Sequence, residues 1–344
     1  MGETTTHFFY AGYTGDVEES AENLLARAGE SYTLTQHISQ AGATRGTRNA
    51  PVPGPEEAVM LKGLISKFQK PQSAQLPGYG VMGVICQGSQ SMIFKAREQA
   101  TGRIVAVKVQ KPAARKAGDR PDVAHLVLTE GQVVASFSHP NVIRCFTHGF
   151  LGETPYVVLE YVEGVSLATL MKADSGQLNG LRLAIVRQAA MALTHVHARQ
   201  FVHRDFCPKN LMVTATGVVK LIDFALAAPL GAVPTVGYRP STIEYLPPEV
   251  LQRDLNDYRV DIFAWGVATY QTLSGVWPFE HAGQRQAVTN ILNVKPVPLD
   301  KRLPDLPHEV AAIVMRCIEK DPANRPGGMN SVVRVLDRYR EVAI

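Results

Sequence analysis

With 344 residues, 45% of them hydrophobic and 19% charged, the chain can bury sizeable cores in two lobes and still carry a smaller attachment. A net charge of +4 is mild for this size and argues neither for nor against nucleic acid, since no stripe of interleaved aromatic and basic residues accompanies it; no nucleic-acid partner is expected. Four scattered cysteines, Cys86, Cys145, Cys207 and Cys317, indicate neither a disulfide framework nor a zinc site and fit a reducing compartment.

Residues 1–77 are rich in Gly, Thr, Ser, Ala and Gln, with a Pro-Gly cluster at Pro51–Pro55. They read as a largely flexible N-terminal extension with two short helical patterns, Asp16–Ala28 and Glu56–Lys70. Met1-Gly2 with Thr6 matches the short N-myristoylation pattern, a candidate modification that intact mass would settle. No secretory leader and no run of roughly eighteen apolar residues occurs, so a soluble, cytoplasmic protein without a transmembrane segment is expected.

From Tyr79 to about Leu159 strand-like runs dominate: Gly83–Cys86, Met92–Ala96, Ile104–Gln110, Asn141–Phe150 and Tyr156–Leu159, interrupted by one helical pattern at roughly Asp122–Phe137. After Ser166 the pattern turns helical, broken by a hairpin and a Gly/Pro-rich loop that runs to Pro248. The expected fold class is α+β, with a small β-rich lobe at about 78–160 and a larger α-helical lobe at about 161–340.

The hairpin is the most informative segment. Leu211–Val213 and Val218–Ile222 are apolar, β-branched runs around the turn-forming Thr214–Gly217. Its open end brings Asn210 beside Asp223, with Asp205 on the loop leading in. An amide oxygen and a carboxylate converging from adjacent strands suit a hard cation such as Mg²⁺, leaving Asp205 to act as a base.

His203-Arg-Asp205, Asn210 and Asp223-Phe-Ala225 resemble the catalytic and magnesium loops of eukaryotic-type (Hanks-type) protein kinases, whose pattern is H-R-D, later N, later D-F-G. Cys207 stands where Ser/Thr kinases usually carry Lys, and Ala225 replaces the glycine of D-F-G. The resemblance extends over about residues 79–340 and implies a bilobal kinase fold using ATP with Mg²⁺ or Mn²⁺ and a protein substrate. It makes Lys108 of Val105-Ala-Val-Lys108 the phosphate-binding lysine and Glu130, 22 residues on, its partner.

The same resemblance places the ATP cradle at Gly88, Ser89, Ser91, Ile93, Ala106, Lys108, Leu159, Glu160, Val162 and Met212. Leu159 would be the gatekeeper, backbone at Glu160 and Val162 would meet the base edge, and Ala106 and Met212 would enclose the ring. Only Gly88 survives of three loop glycines, with Cys86 and Ser91 at the other two positions. Glycine lets backbone approach phosphates and take conformations costly to other residues, so a stiffer loop and weaker ATP binding are expected. Lys209 is the candidate replacement for the cation missing at Cys207.

In Thr242–Glu249, which resembles the end of a Ser/Thr-kinase activation segment, Thr242 would hydrogen-bond the catalytic Asp205. Thr235, Tyr238 and Ser241 are candidate phosphate acceptors, with Arg204 the candidate phosphate partner. Glu249 would pair with Arg325, and Asp261 would fix the catalytic-loop backbone. Phe224 would pack near Val134 and His203. The leading reading is a slow or conditionally active protein Ser/Thr kinase. A pseudokinase that binds nucleotide or a partner and a small-molecule phosphotransferase are the alternatives, with regulation expected through residues 1–77 or a separate protein.

Overall fold

In a computed structural model, the described residues are 76–88, 91–110, 128–152, 154–173, 178, 180–232, 242–252, 257–280 and 282–342. The extension before Leu76, with both of its helical patterns and the acylation motif, lies outside them, as do Ser89, Thr235, Tyr238 and Ser241.

The first lobe is a five-stranded antiparallel sheet of β1 (Tyr79–Gln87), β2 (Ser91–Glu98), β3 (Ile104–Gln110), β4 (Cys145–Leu151) and β5 (Thr154–Glu160), in the order β1-β2-β3-β5-β4. Alternation along β3 gives each face a task. Val105 and Val107 join Leu76, Ala96 and Val158 in a small core on one face. Ala106 points into the main core on the other, and Lys108 follows it two residues on.

Between β3 and β4 lies helix α1 (Glu130–Val134). It begins at Glu130 because Thr129 and Gln132 form a capping box: Thr129 Oγ1 accepts the Gln132 N–H at 3.3 Å, and Gln132 Oε1 accepts the Thr129 N–H at 2.8 Å. The described helix is therefore shorter than the Asp122–Phe137 pattern, whose first part is not among the described residues. The Asn141–Phe150 run also divides. Only Cys145–Leu151 is strand, while Val142 forms a lone parallel bridge to Leu221 that ties the two lobes.

The second lobe begins with β6 (Gly164–Ser166), α2 (Leu167–Lys172), α3 (Arg182–Ala198) and the short β7 (Phe201–Val202). The expected hairpin follows as β8 (Leu211–Thr214) and β9 (Val219–Leu221), paired Leu211 to Leu221 and Val213 to Val219. Gly217 takes φ +77° in its turn, the left-handed conformation that favours glycine there. Then come β10 (Ala228–Pro229), α4 (Pro248–Leu251), α5 (Arg259–Ser274), α6 (Gln284–Asn293), α7 (Leu299–Arg302), α8 (His308–Cys317) and α9 (Met329–Asp337).

Helix α5 is buried along almost its whole length, from Val260 through Tyr270, and ends where Gly275 adopts φ +76° as a left-handed cap. Its apolar circumference makes it the spine of the lobe, with α3 and α8 packed against it and the hairpin packed on α3. No helix among the described residues is long and apolar enough to cross a membrane.

Candidate active site

The site forms where β3, α1 and the end of β9 meet. Lys108 Nζ lies 2.9 Å from Glu130 Oε1 and 2.7 Å from Asp223 Oδ1, so one ammonium joins three elements that are 22 and 115 residues apart in sequence. The side chains of Lys108 and Glu130 are 7% and 4% exposed, whereas that of Asp223 is 37% exposed. Asp223 is therefore the carboxylate that faces the cleft.

Burial works against the Lys108 charge, but Asp223 and Glu130 together hold the ammonium well above the usual lysine range. Burial would also raise the Asp223 carboxyl; Lys108, by charge and hydrogen bond, outweighs it and brings Asp223 below the usual carboxylate range. For Glu130 burial prevails over Lys108 and pushes the carboxyl up. Its second oxygen, Oε2, has no hydrogen-bond partner among the described residues, while Oε1 also accepts the Phe224 N–H at 3.3 Å.

The hairpin places the other oxygen groups. Ile222 N–H donates to Asn210 O at 2.9 Å, so the two ends of the hairpin are adjacent. Asn210 Nδ2 donates to Asp205 O at 2.8 Å and to Asp205 Oδ2 at 3.2 Å, which fixes the Asp205 carboxylate and turns Asn210 Oδ1 away from it. Asp223 Oδ1 takes Lys108 and the Ala225 N–H, at 3.3 Å, leaving Oδ2 for a ligand. Among the described residues there is no cluster of three or more His, Cys, Asp or Glu side chains of the kind that cages a metal alone. One carboxylate and one amide oxygen fit a cation that completes its shell with phosphate and water, as Mg²⁺ does.

Phe224 is 1% exposed and lies edge-on to His203 at 4.9 Å and against Phe137 at 5.0 Å, with Val134 in the same core, as expected. The backbone behind Asp205 hangs from Asp261 on α5. Asp261 Oδ2 accepts the His203 N–H at 2.8 Å, Oδ1 accepts the Arg204 N–H at 2.9 Å, and His197 Nε2 is 2.8 Å from Oδ2. Burial opposes the Asp261 charge, but these donors keep its carboxyl below the usual range.

Glu249 and Arg325 form the expected pair, bidentate at 2.6 and 2.8 Å and buried. Arg325 also donates to the carbonyls of Glu319, Lys320 and Arg259 and lies over the Phe263 ring. Arg204, with φ +66°, donates through its guanidinium to Ala232 O, at the near end of the Gly/Pro-rich loop. Thr242 Oγ1 donates to Cys207 Sγ at 3.9 Å, and both line one small cavity with Asp205. Lys209 is half-buried in the 3₁₀ turn Pro208–Asn210 and forms no ion pair among the described residues.

In the adenine region Ala106, Leu159, Val162 and Met212 are buried, and Ala106 faces Leu159 across the β3–β5 ladder. Ile93 is buried and pairs with Lys108. The Glu160 side chain turns outward to Lys220 at 2.7 Å and to the Arg144 N–H at 2.8 Å. Gly88 closes the β1–β2 turn by donating to Ser91 O at 2.9 Å. Its φ is not left-handed, and an added Cβ would sit 3.6 Å from Ser91 O, an ordinary contact. The glycine therefore gives access there rather than conformational freedom.

Two residues escaped the sequence reading. His197 has its partner 64 positions away and carries no local signal. Gly131 follows Glu130 directly, and a Cβ there would come 2.4 Å from His148 Cβ on β4. A glycine beside the expected glutamate was the only available clue.

The sequence has counterparts among known proteins. A probable serine/threonine-protein kinase of Clostridium perfringens is 27% identical over 266 residues, 76% of this chain and 38% of its own. Serine/threonine-protein kinase PknB of Mycobacterium leprae is 30% identical over 254 residues, 72% and 40% of the respective chains. Serine/threonine-protein kinase pkn2 of Myxococcus xanthus is 29% identical over 278 residues, 77% and 33%. The matched region thus spans about two fifths or less of these relatives' own length. Residues 79–335 match the protein kinase domain, and the chain belongs to that family.

Proposed function

We propose that the chain is an ATP-dependent protein Ser/Thr kinase of slow or conditional turnover, transferring the γ-phosphoryl group of ATP to a protein hydroxyl. The observation that carries this reading is the Lys108 ammonium held between Glu130 and Asp223 beside the Asn210–Asp205 pair. A chain that only presented a surface has no need to bury a lysine between two acids and aim an aspartate beside them. The four free thiols support a reducing, cytoplasmic setting.

When bound, Mg²⁺ or Mn²⁺ with ATP supplies the transferable phosphoryl group and neutralises charge on it. Lys108 is assigned to the α- and β-phosphates, kept in place by Glu130. Asp223 Oδ2 and Asn210 Oδ1 would hold the metal. Asp205, oriented by the Asn210 amide, would accept or orient the proton of the acceptor hydroxyl. Lys209 would supply positive charge beside the transferred group. Cys86 and Ser91, at two of the three positions where the family carries loop glycines, are expected to loosen the grip on the phosphates and slow turnover.

The test is transfer of radiolabel from ATP, with Mg²⁺ or Mn²⁺, to the chain itself and to a generic basic protein, comparing wild type with Asp205→Ala and Lys209→Ala. We expect label in the wild type, none in Asp205→Ala, and a turnover loss in Lys209→Ala that exceeds its effect on ATP affinity. Label that survives Asp205→Ala refutes the mechanism, and none in the wild type favours a pseudokinase.

A further inference from the structure

Cys207 lies two residues after Asp205 and is 1% exposed. Its carbonyl accepts the Asn210 N–H at 3.0 Å, so the residue is fastened on one side to the metal-facing turn. On the other side its sulfur faces the Thr242 hydroxyl at 3.9 Å, the long end of the range for a hydrogen bond to sulfur. Thr242 opens the 3₁₀ turn Ile243–Tyr245, whose last residue donates from its phenol to Gln271 on α5 at 2.7 Å. Burial, with the Asp205 charge, pushes the thiol up to about 12.

Asp205 therefore has two flanks. On the first are Asn210, Asp223 and Lys108, the groups assigned to metal and phosphates. On the second is the wall of a small cavity shared by Cys207, Thr242 and Tyr245. Among the described residues the second flank carries Thr242. A lysine at 207 would place a charge inside this buried seam, whereas a thiol joins the two segments without one.

We propose that Cys207 is a positioning residue: its side chain clamps Thr242 and so sets the acceptor-side wall next to Asp205. The inference rests on the kinase reading and deepens it, since the clamp governs the protein acceptor and leaves the ATP side alone. The steric and hydrogen-bonding role of Cys207 requires sulfur or oxygen at that position, not reactivity.

The test uses the full chain, ATP and a generic basic protein, with KM for each substrate and kcat measured for wild type, Cys207→Ala, Cys207→Ser, Thr242→Val and the double variant Cys207→Ala/Thr242→Val. Loss of one net hydrogen bond corresponds to about a three- to tenfold change. That rise is expected in the acceptor KM of Cys207→Ala and of Thr242→Val, with KM for ATP within about twofold. Cys207→Ser should recover most of it, and the double variant should be no worse than the worse single one. An unchanged acceptor KM, an equal rise for ATP, or multiplicative losses overturns the clamp while leaving the kinase reading intact. No turnover in wild type overturns both. If Cys207→Ala does not fold, Thr242→Val and Cys207→Ser decide by the same criteria.

Discussion

Gly131→Ala should disable the site without touching any group in it. A Cβ at Gly131 would lie 2.4 Å from His148 Cβ and 2.8 Å from its Cγ. His148 Cβ is bonded to the β4 backbone, so no rotamer change can clear it. Carbon atoms settle at about 3.5–4.0 Å, so α1 and β4 must part by roughly 1 Å or more. The Lys108–Glu130 contact of 2.9 Å tolerates only about 0.6 Å before it leaves hydrogen-bonding range. Overpacking costs about 1–3 kcal/mol, of which the better helix propensity of alanine returns about 1 kcal/mol. A modest net loss of stability should then accompany at least a tenfold loss of label transfer, because misplacement of about 1 Å can cost far more in rate than in folding. Thermal unfolding and transfer assays on Gly131→Ala, with Gly131→Ala/His148→Gly to restore the space and His148→Gly as control, read both quantities. Wild-type turnover in Gly131→Ala, or no recovery in the double variant, would refute this account of how the helix is seated.

Glu249→Ala leaves the Arg325 guanidinium buried without its carboxylate, so a loss of about 3–5 kcal/mol is expected in urea unfolding, and one below about 1 kcal/mol would contradict the buried pairing. His139 and His195 stack at 5.1 Å and accept backbone N–H groups from Asn141 and Ser138. Burial lowers both imidazoles, helped at His139 by charge on His195 and Lys220 and at His195 by charge on Arg199. Their unfolded forms titrate at about 6.5, so the unfolded chain binds more protons below that pH, and stability must fall as pH drops from there. The fall in urea midpoint between pH 7 and pH 5 should be smaller in His195→Phe than in wild type; equal falls would exclude the pair as its source.

The hairpin was legible because Leu211–Val213 and Val218–Ile222 alternate between faces while turn-forming residues separate them, and these are local signals. Lys108, Glu130 and Asp223 could be matched to a pattern, but the contacts among them depend on three elements folding together. Thr129 and Gln132 carry the capping-box spacing that marks the start of α1, so that boundary was readable in principle. The break at Asn141–Ile143 was not, since the apolar run continues and the strand stops because Asn141 and Ile143, on either side of Val142, bond to Leu221 of the other lobe. The same holds for Cys207 with Thr242, 35 positions apart, and for Asp261 with His203 and Arg204, at 58 and 57.

Gln200, Arg204 and Asp223 hold positive φ without being glycine, a conformation that costs of order 1–2 kcal/mol per residue. Two of the amides in this stretch, those of His203 and Arg204, hang from Asp261, which is 1% exposed in the most buried helix of the lobe. A strained loop would ordinarily relax by fraying on its own. Here it cannot open before α5 does, so the catalytic loop belongs to the same cooperative opening unit as the lobe's spine. Its working shape therefore persists as long as the lobe stays folded, and is lost with it in a single step.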